Sequence, residues 1–210
     1  GESGGAARAR LCLRGKIMQV TAVVLAGGAA RRMGGADKGL ALFQGRPLIE
    51  HVLARIPAGV PVCICANRNL EAYRAYGHPV VEDAIKGYPG PLAGILAALD
   101  AAQTEAVAAM PCDSPFVPED YIERLARAAE ASGARCAAAC AGGKRQPVFA
   151  LVRRACAGDL RAFLAAGGRK VGQWLESQGC VWVEFESLEP FANFNTPEEL
   201  AAGESARRAD

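Results

Sequence analysis

The sequence predicts an α/β domain with a central, mostly parallel β-sheet covered by helices on both faces. Two observations lead there. From Val20 to Phe185, short apolar runs with the length of buried strands alternate with longer segments of helical period. That βαβα order implies parallel strands joined by crossover helices. In addition, four of the apolar runs give out into Gly27-Gly28, Cys65-Ala66-Asn67-Arg68, Glu82-Asp83 and Pro111-Cys112-Asp113. Ligands in open parallel sheets bind beyond the carboxyl ends of the strands, so these four segments are expected to line one crevice.

The elements follow in order. Val20–Leu25 is an apolar, β-branched first strand. Pro47–Ile56 has helical periodicity, with proline at a first helical position where its missing N–H costs nothing. Val60–Ala66 is a second strand, followed by a short amphipathic helix through Glu71, Tyr73 and Tyr76. Val80–Val81 is a third strand, and Pro91–Ala102 an alanine-rich helix. Ala106–Met110 is a fourth strand, and Pro118–Ser132 a helix closed by Gly133. Further strands are expected near Arg135–Cys140, Val148–Val152 and Val181–Phe185, with helices between and after. Thr196, Pro197 and Glu199 have the residue types of an N-cap, a first helical position and a capping-box glutamate.

At 210 residues, of which 51% are hydrophobic and 22% charged, the chain suits one globular domain with a core of Ala, Val and Leu. Arginine supplies 19 of the 24 basic residues, so a lone arginine says little, whereas a loop lysine such as Lys38 says more. The net charge of +2 is unevenly placed: Arg8, Arg10, Arg14 and Lys16 against Glu2 give +3 within residues 1–17, leaving −1 for the rest. A near-neutral body argues against a nucleic-acid-binding face. Residues 1–17 read as a disordered N-terminal extension, 18–202 as the folded domain, and 203–210 as a C-terminal tail.

The basic start followed by Val20–Ala26 resembles a secretory signal, but the apolar run is short, and cleavage near Ala29 would discard the first strand and its loop. No apolar run approaches the ~18–20 residues that span a bilayer. The eight cysteines include no C-x-x-C pair, and His51 and His78 are not spaced with them as zinc ligands. They read as reduced thiols of a cytoplasmic protein, with Cys112 notable for adjoining Asp113.

Two segments carry the chemistry. Gly27-Gly28-Ala29-Ala30-Arg31-Arg32-Met33-Gly34-Gly35-Ala36-Asp37-Lys38 offers backbone N–H groups, little side-chain bulk and three cations. That combination suits a polyphosphate, though a glycine-rich surface turn has the same residue types. The segment contains neither a Walker loop nor a dinucleotide fingerprint. Asp113, held between Pro111 and Pro115 after an apolar strand, can ligate Mg²⁺ or serve as a turn residue. Asp83 can bind a ribose hydroxyl, guide the metal or cap its loop. The small residues of Gly87–Gly94 suit either a flat base lying close to backbone or tight helix–sheet packing.

The chain also resembles a known family, the molybdenum cofactor guanylyltransferases. The motifs that carry the resemblance are Leu25–Gly28 with Arg32–Gly35 and Asp37-Lys38, Tyr88–Gly94, Pro111–Pro115, Gln146–Val148 and Asn193–Leu200. They occur in order from about Met18 to Leu200; the first is shared with many nucleotidyltransferases, and the set of five is specific. The resemblance implies a three-layer Rossmann-like nucleotidyltransferase fold. It also implies transfer of GMP from GTP, with Mg²⁺, to the terminal phosphate of Mo-molybdopterin, forming the guanine dinucleotide cofactor and releasing pyrophosphate. By position it places Leu25, Ala26, Gly27, Gly28, Lys38 and Asp83 on the nucleotide, and Asp113 on nucleotide and metal. Arg32 and Gly35 fall near the reacting phosphates, and Asn193 and Asn195 on the pterin side. Cys65 stands where the family often has an asparagine that contacts the nucleotide; a thiol is a weak hydrogen-bonding group, which shifts the polar role toward Asn67.

Such a reaction needs positioning and charge neutralisation rather than a strong general base, consistent with the lack of a Ser, His or Cys triad pattern. Arg32, Lys38 and Asp113 are the expected catalytic residues. Cofactor-delivery proteins or molybdoenzyme chaperones are expected partners; nucleic acid and membrane are not. The rival readings are a cytidylyltransferase on the same cofactor, a sugar-phosphate nucleotidyltransferase and a non-catalytic nucleotide-binding module.

Overall fold

The computed structural model describes residues 18–27, 37–83, 85, 90–194 and 199. Its elements are β1 (Val20–Leu25), β2 (Leu42–Phe43), β3 (Arg46–Pro47), α1 (Leu48–Leu53), β4 (Val62–Cys65), α2 (Leu70–Arg74), β5 (Val80–Val81) and α3 (Pro91–Ala101). There follow β6 (Ala106–Pro111), α4 (Tyr121–Ser132), β7 (Cys136–Ala141), β8 (Lys144–Arg153), α5 (Ala157–Ala165), α6 (Val171–Ser177) and β9 (Val181–Phe185). Seven strands form one sheet in the order β5-β4-β1-β6-β8-β7-β9. Only β8 runs against its neighbours; the other pairings are parallel.

Alternation along the strands separates two cores. Ala22 and Val24 of β1, Ala106, Ala108 and Met110 of β6, and Ala137 and Ala139 of β7 face Ile49 and Val52 of α1 and Tyr121, Leu125 and Ala129 of α4. Val23, Val107, Ala109 and Ala138 face the other way, against Leu92, Ile95, Leu96 and Leu99 of α3, Leu160 of α5 and Trp174 of α6. The fold is therefore three layers, as expected. Register holds it there: β1 pairs with β6 from Val20–Ala106 to Leu25–Pro111, and a one-residue slip would exchange the two faces. The central strands are unusually rich in alanine, with Ala106, Ala108, Ala109, Ala137, Ala138 and Ala139 all fully buried, which lets the flanking helices approach closely.

Helix boundaries follow their sequence signals in part. α3 starts with Pro91 in its first turn, behind Gly90 at φ +148°, a conformation that favours glycine. α4 ends on Gly133 in the left-handed conformation. The helix expected over Pro47–Ile56 is shorter: Pro47 closes β3, and beyond Leu53 the chain tightens into i→i+3 bonds from Arg55 to Val52 and from Ile56 to Leu53. Likewise Pro118 makes only a turn, its carbonyl accepting from Tyr121 N–H, and α4 begins at Tyr121. The β2–β3 hairpin was not expected. It turns on Gln44 (φ 51°) and Gly45 (φ 74°), a pair of left-handed residues that suits a two-residue hairpin.

Candidate nucleotide-binding site

Four parallel strands end at one edge of the sheet, and the ladder continues just beyond them. Ala26 N–H donates to Cys65 O at 2.8 Å, Ala66 N–H to Val81 O at 2.9 Å, and Cys112 N–H to Leu25 O at 3.1 Å. The segments following β1, β4, β5 and β6 are thereby held side by side. They bring Leu25, Ala26, Gly27, Cys65, Asn67, Asp83 and Asp113 to a common rim.

One side of the rim is built around Asp83. Asn67 Nδ2 donates to Asp83 Oδ2 at 2.7 Å, and Asp83 N–H returns a bond to Asn67 Oδ1 at 2.9 Å. The Cys65 thiol donates to Asp83 Oδ1 at 3.4 Å. Burial and the nearby Asp83 carboxylate push that thiol up, well above its ordinary range, so it remains a neutral donor. Glycines give this cluster its compactness. A Cβ on Gly94 would lie 2.9 Å from Cys65 Sγ and 3.0 Å from Leu25 Cδ2, and one on Gly27 would lie 3.1 Å from Asn67 Nδ2. Of the two readings of the small residues of Gly87–Gly94, tight packing against the strand ends is thus realised at Gly94, in the first turn of α3.

The other side carries an ion pair. Lys38, in a single 3₁₀ turn over Lys38–Leu40, places Nζ 3.2 Å from Asp113 Oδ2. Asp113 is buried, and burial raises its carboxyl above the ordinary value more than Lys38 lowers it. Its neighbour Cys112 is buried too, and burial followed by the Asp113 charge pushes its thiol up, away from nucleophilic use.

The segment after β9 docks on this same loop. Phe194 N–H donates to Asp113 O at 3.0 Å, and Ser114 Oγ donates to Asn193 Oδ1 at 2.5 Å. The Phe194 ring joins Phe43 (5.2 Å between centroids) and Phe116 (5.8 Å). His51 sits edge-on to Phe43 and donates from Nε2 to Phe43 O at 2.9 Å, a packing role rather than a ligand's. Asn193 is therefore brought to Asp113 by an aromatic anchor and two hydrogen bonds.

Gly28, Arg32, Gly35 and Asn195, also expected at the site, lie outside the described residues, as do Thr196 and Pro197 of the expected helix start. Sequence reasoning missed Asp37, Ser114 and Phe194. Asp37 is a buried acid beside the site lysine, and its side-chain partners among the described residues include Arg68, Asn69 and Tyr73, all more than thirty residues away in the chain, a pairing that no local pattern announces. Asp113 is the described residue best placed to hold a metal; no group of three or more His, Cys, Asp or Glu suited to one exists among the described residues. The seven described cysteines are free thiols. Among the described residues, no helix is long and apolar enough to cross a membrane.

Comparison with known proteins bears on the family and the fold. Residues 22–181 match the model of the MobA-like NTP transferase domain. The chain is 45% identical over 196 residues to a molybdenum cofactor guanylyltransferase of Cupriavidus metallidurans, covering 90% of this chain and 97% of that one. It is 47% identical over 191 residues to a protein of the same name from Ralstonia nicotianae, covering 86% and 94%. Among solved structures, molybdopterin-guanine dinucleotide biosynthesis protein A from Archaeoglobus fulgidus superposes with a TM-score of 0.75 at 26% identity, covering 90% of this chain and all of that one.

Proposed function

The chain belongs to the MobA-like NTP transferase family, and we propose that it transfers the GMP moiety of GTP to the terminal phosphate of Mo-molybdopterin. The observation that carries the chemistry is the ion pair between Lys38, at the start of its 3₁₀ turn, and Asp113, just beyond the end of β6, on the rim that also carries Gly27 and Asp83. The choice of substrates is supported by the names of the relatives.

In this reading an oxygen of the acceptor phosphate attacks the α-phosphorus of GTP. A P–O bond forms there, the bond from Pα to the bridging oxygen breaks, and its electron pair leaves with pyrophosphate. The acceptor is already an anion, so no side chain need remove a proton. What the protein must supply is alignment and compensation of charge on the transferring and leaving phosphates. Lys38 provides a cation, held near Asp113 until phosphate competes for it. Arg32, Gly28 and Gly35 extend the phosphate-binding loop, and the Leu25–Gly27 backbone and Asp83, steadied by Asn67 and Cys65, take the nucleoside. Asn193 and Asn195 take the pterin side.

Asp113 fits an oxygen-seeking divalent ion of the Mg²⁺ type: a single buried carboxylate leaves the remaining ligands to phosphate and water, which is how Mg²⁺ is commonly held. Bound there, the ion would neutralise charge on the triphosphate. Transfer of the product to cofactor-delivery proteins or molybdoenzyme chaperones, in the cytoplasm, belongs to the same proposal. The test is incubation of the protein and Mo-molybdopterin with α-labelled GTP or CTP in the presence of Mg²⁺. Label is expected in a pterin dinucleotide from GTP, with CTP a poor competitor. Equal use of both nucleotides overturns the guanylyl reading.

A further inference from the structure

We infer that Asp37 is a positioning residue for Lys38, clamped by Tyr73 and Asn69 across from the lysine's own loop. The inference rests on the reading of Lys38 as a phosphate contact. Asp37 has a side chain only 3% exposed, and a carboxylate so buried is costly unless donors surround it. Here they do. Asp37 Oδ1 accepts from Tyr73 OH at 2.5 Å and from Gly39 N–H at 3.2 Å. Oδ2 accepts from Asn69 Nδ2 at 3.0 Å, with Arg68 Nε at 3.9 Å.

The bond to Gly39 N–H caps the 3₁₀ turn whose first residue is Lys38, so the carboxylate that anchors the clamp also sets where the lysine leaves the backbone. The other partners belong to a separate element: Tyr73 lies in α2, and Asn69 is the residue that precedes it. Tyr73 is fully buried, and burial followed by its bond to Asp37 raises its phenol, which keeps it protonated and donating. Asn69 adopts the left-handed conformation (φ 51°) as it leads into α2, a backbone position uncommon for a residue with a side chain but tolerated by asparagine. Gly39 completes the arrangement: a Cβ there would lie 2.5 Å from Tyr73 Oη and 3.3 Å from Cys112 Sγ. The tripeptide Asp37-Lys38-Gly39 is thus an acceptor, a cation and a space for the hydroxyl that holds the acceptor. A clamp serving the fold alone would need no such coupling to the residue that pairs with Asp113.

Asp37→Ala strips one acceptor from several donors and endangers the fold, so Tyr73→Phe and Gly39→Ala carry the test. The first deletes one hydroxyl; the second crowds it, and Cys112 Sγ behind it, while leaving the Asp37 side chain in place. The full chain is compared in these two forms, in Lys38→Ala, and in each combined with Lys38→Ala. The readout is the dissociation constant for GTP with Mg²⁺, and melting temperature establishes that each variant is folded. Tyr73→Phe and Gly39→Ala are each expected to weaken GTP roughly five- to tenfold while Lys38 is present, and to add no further loss once Lys38 is alanine. Equal losses with and without Lys38 overturn the inference, because the clamp would then act on the site generally. Unchanged GTP binding in folded Tyr73→Phe and Gly39→Ala overturns it as well. Wild-type affinity in Lys38→Ala overturns the phosphate reading of Lys38 itself and the inference with it, a pattern distinct from the other two.

Discussion

Gly27→Ala tests how nucleotide choice is built. An added Cβ would stand 3.1 Å from Asn67 Nδ2 and 3.8 Å from Asp83 Oδ1, so the first neighbour must yield by a few tenths of an ångström. Asn67 is poorly placed to yield, because its amide is tied to Asp83 by bonds of 2.7 and 2.9 Å. A hydrogen bond to a carboxylate is worth about 1.5–3 kcal/mol. Weakening one such bond by about 1–1.5 kcal/mol corresponds to a roughly five- to twelvefold loss of affinity for whatever Asp83 holds. We expect KM for GTP to rise by about that factor. CTP is expected to suffer less, since the larger purine needs the room beside the loop glycine. The assay is competition between the two nucleotides for incorporation into Mo-molybdopterin by wild type and variant. Asn67→Ala removes the crowded group and is expected to raise KM for GTP by itself, with Gly27→Ala adding less in that background than in wild type. An unchanged ratio of GTP to CTP use in Gly27→Ala would refute the reasoning, as would full additivity of the two substitutions.

Three further outcomes are expected. Asp113→Ala should fold, as its melting temperature will report, yet lose roughly a hundredfold or more in transfer rate, because the acid that pairs with Lys38 and fits the cation is gone. Since burial raises the Asp113 carboxyl above its ordinary value, protons compete with the cation for its oxygens at a higher pH than at an exposed aspartate. Mg²⁺-dependent GTP binding, followed by titration, should therefore weaken on acidification with a midpoint above that value, and should lose this midpoint in Asp113→Asn. Phe43→Ala, which empties a fully buried position between His51, Phe116 and Phe194, should cost about 3–5 kcal/mol in denaturant unfolding. Surviving protein should show a raised KM for the pterin substrate, because Phe194 anchors the segment carrying Asn193.

The parts of the fold legible in the sequence are those where local propensity and burial agree. The first strand runs over Val20–Leu25 as read, because a mostly apolar, β-branched stretch suits a strand buried on both faces, its one hydroxyl, of Thr21, being satisfied by Thr104. α3 and the end of α4 carry their own punctuation in Pro91 and Gly133. The reversed direction of β8 was not read, although Gly142 and Gly143, at φ 53° and 73°, are a hairpin signal between Ala141 and Lys144. Gln44-Gly45 offered a weaker signal, since glutamine seldom leads a left-handed turn and the strands it joins have two residues each. Within the site, strand ends could be read, and so Asp83 and Asp113 could be named. What escaped was side chains that act through partners far along the chain: Asp37 with Tyr73, Ser114 with Asn193, and Phe194 with Phe43. Their meaning lies in tertiary proximity, which no spacing encodes.

The alanines of the central strands set how this protein can drift. A core of Leu and Phe is damaged chiefly by loss of volume. Between β6, β7 and their helices there is little volume to lose, because Ala106, Ala108, Ala109, Ala137, Ala138 and Ala139 already carry one methyl each. Harm there comes from growth: each added branch must push a helix off the sheet, at about 1–3 kcal/mol where the surroundings resist. Total stabilities of domains are only ~5–15 kcal/mol, so a few such insertions exhaust the margin. Lineages carrying this chain are therefore expected to exchange Ala with Gly, Ser or Cys along these strands, and to accept a larger residue only where a facing helix has shed bulk first.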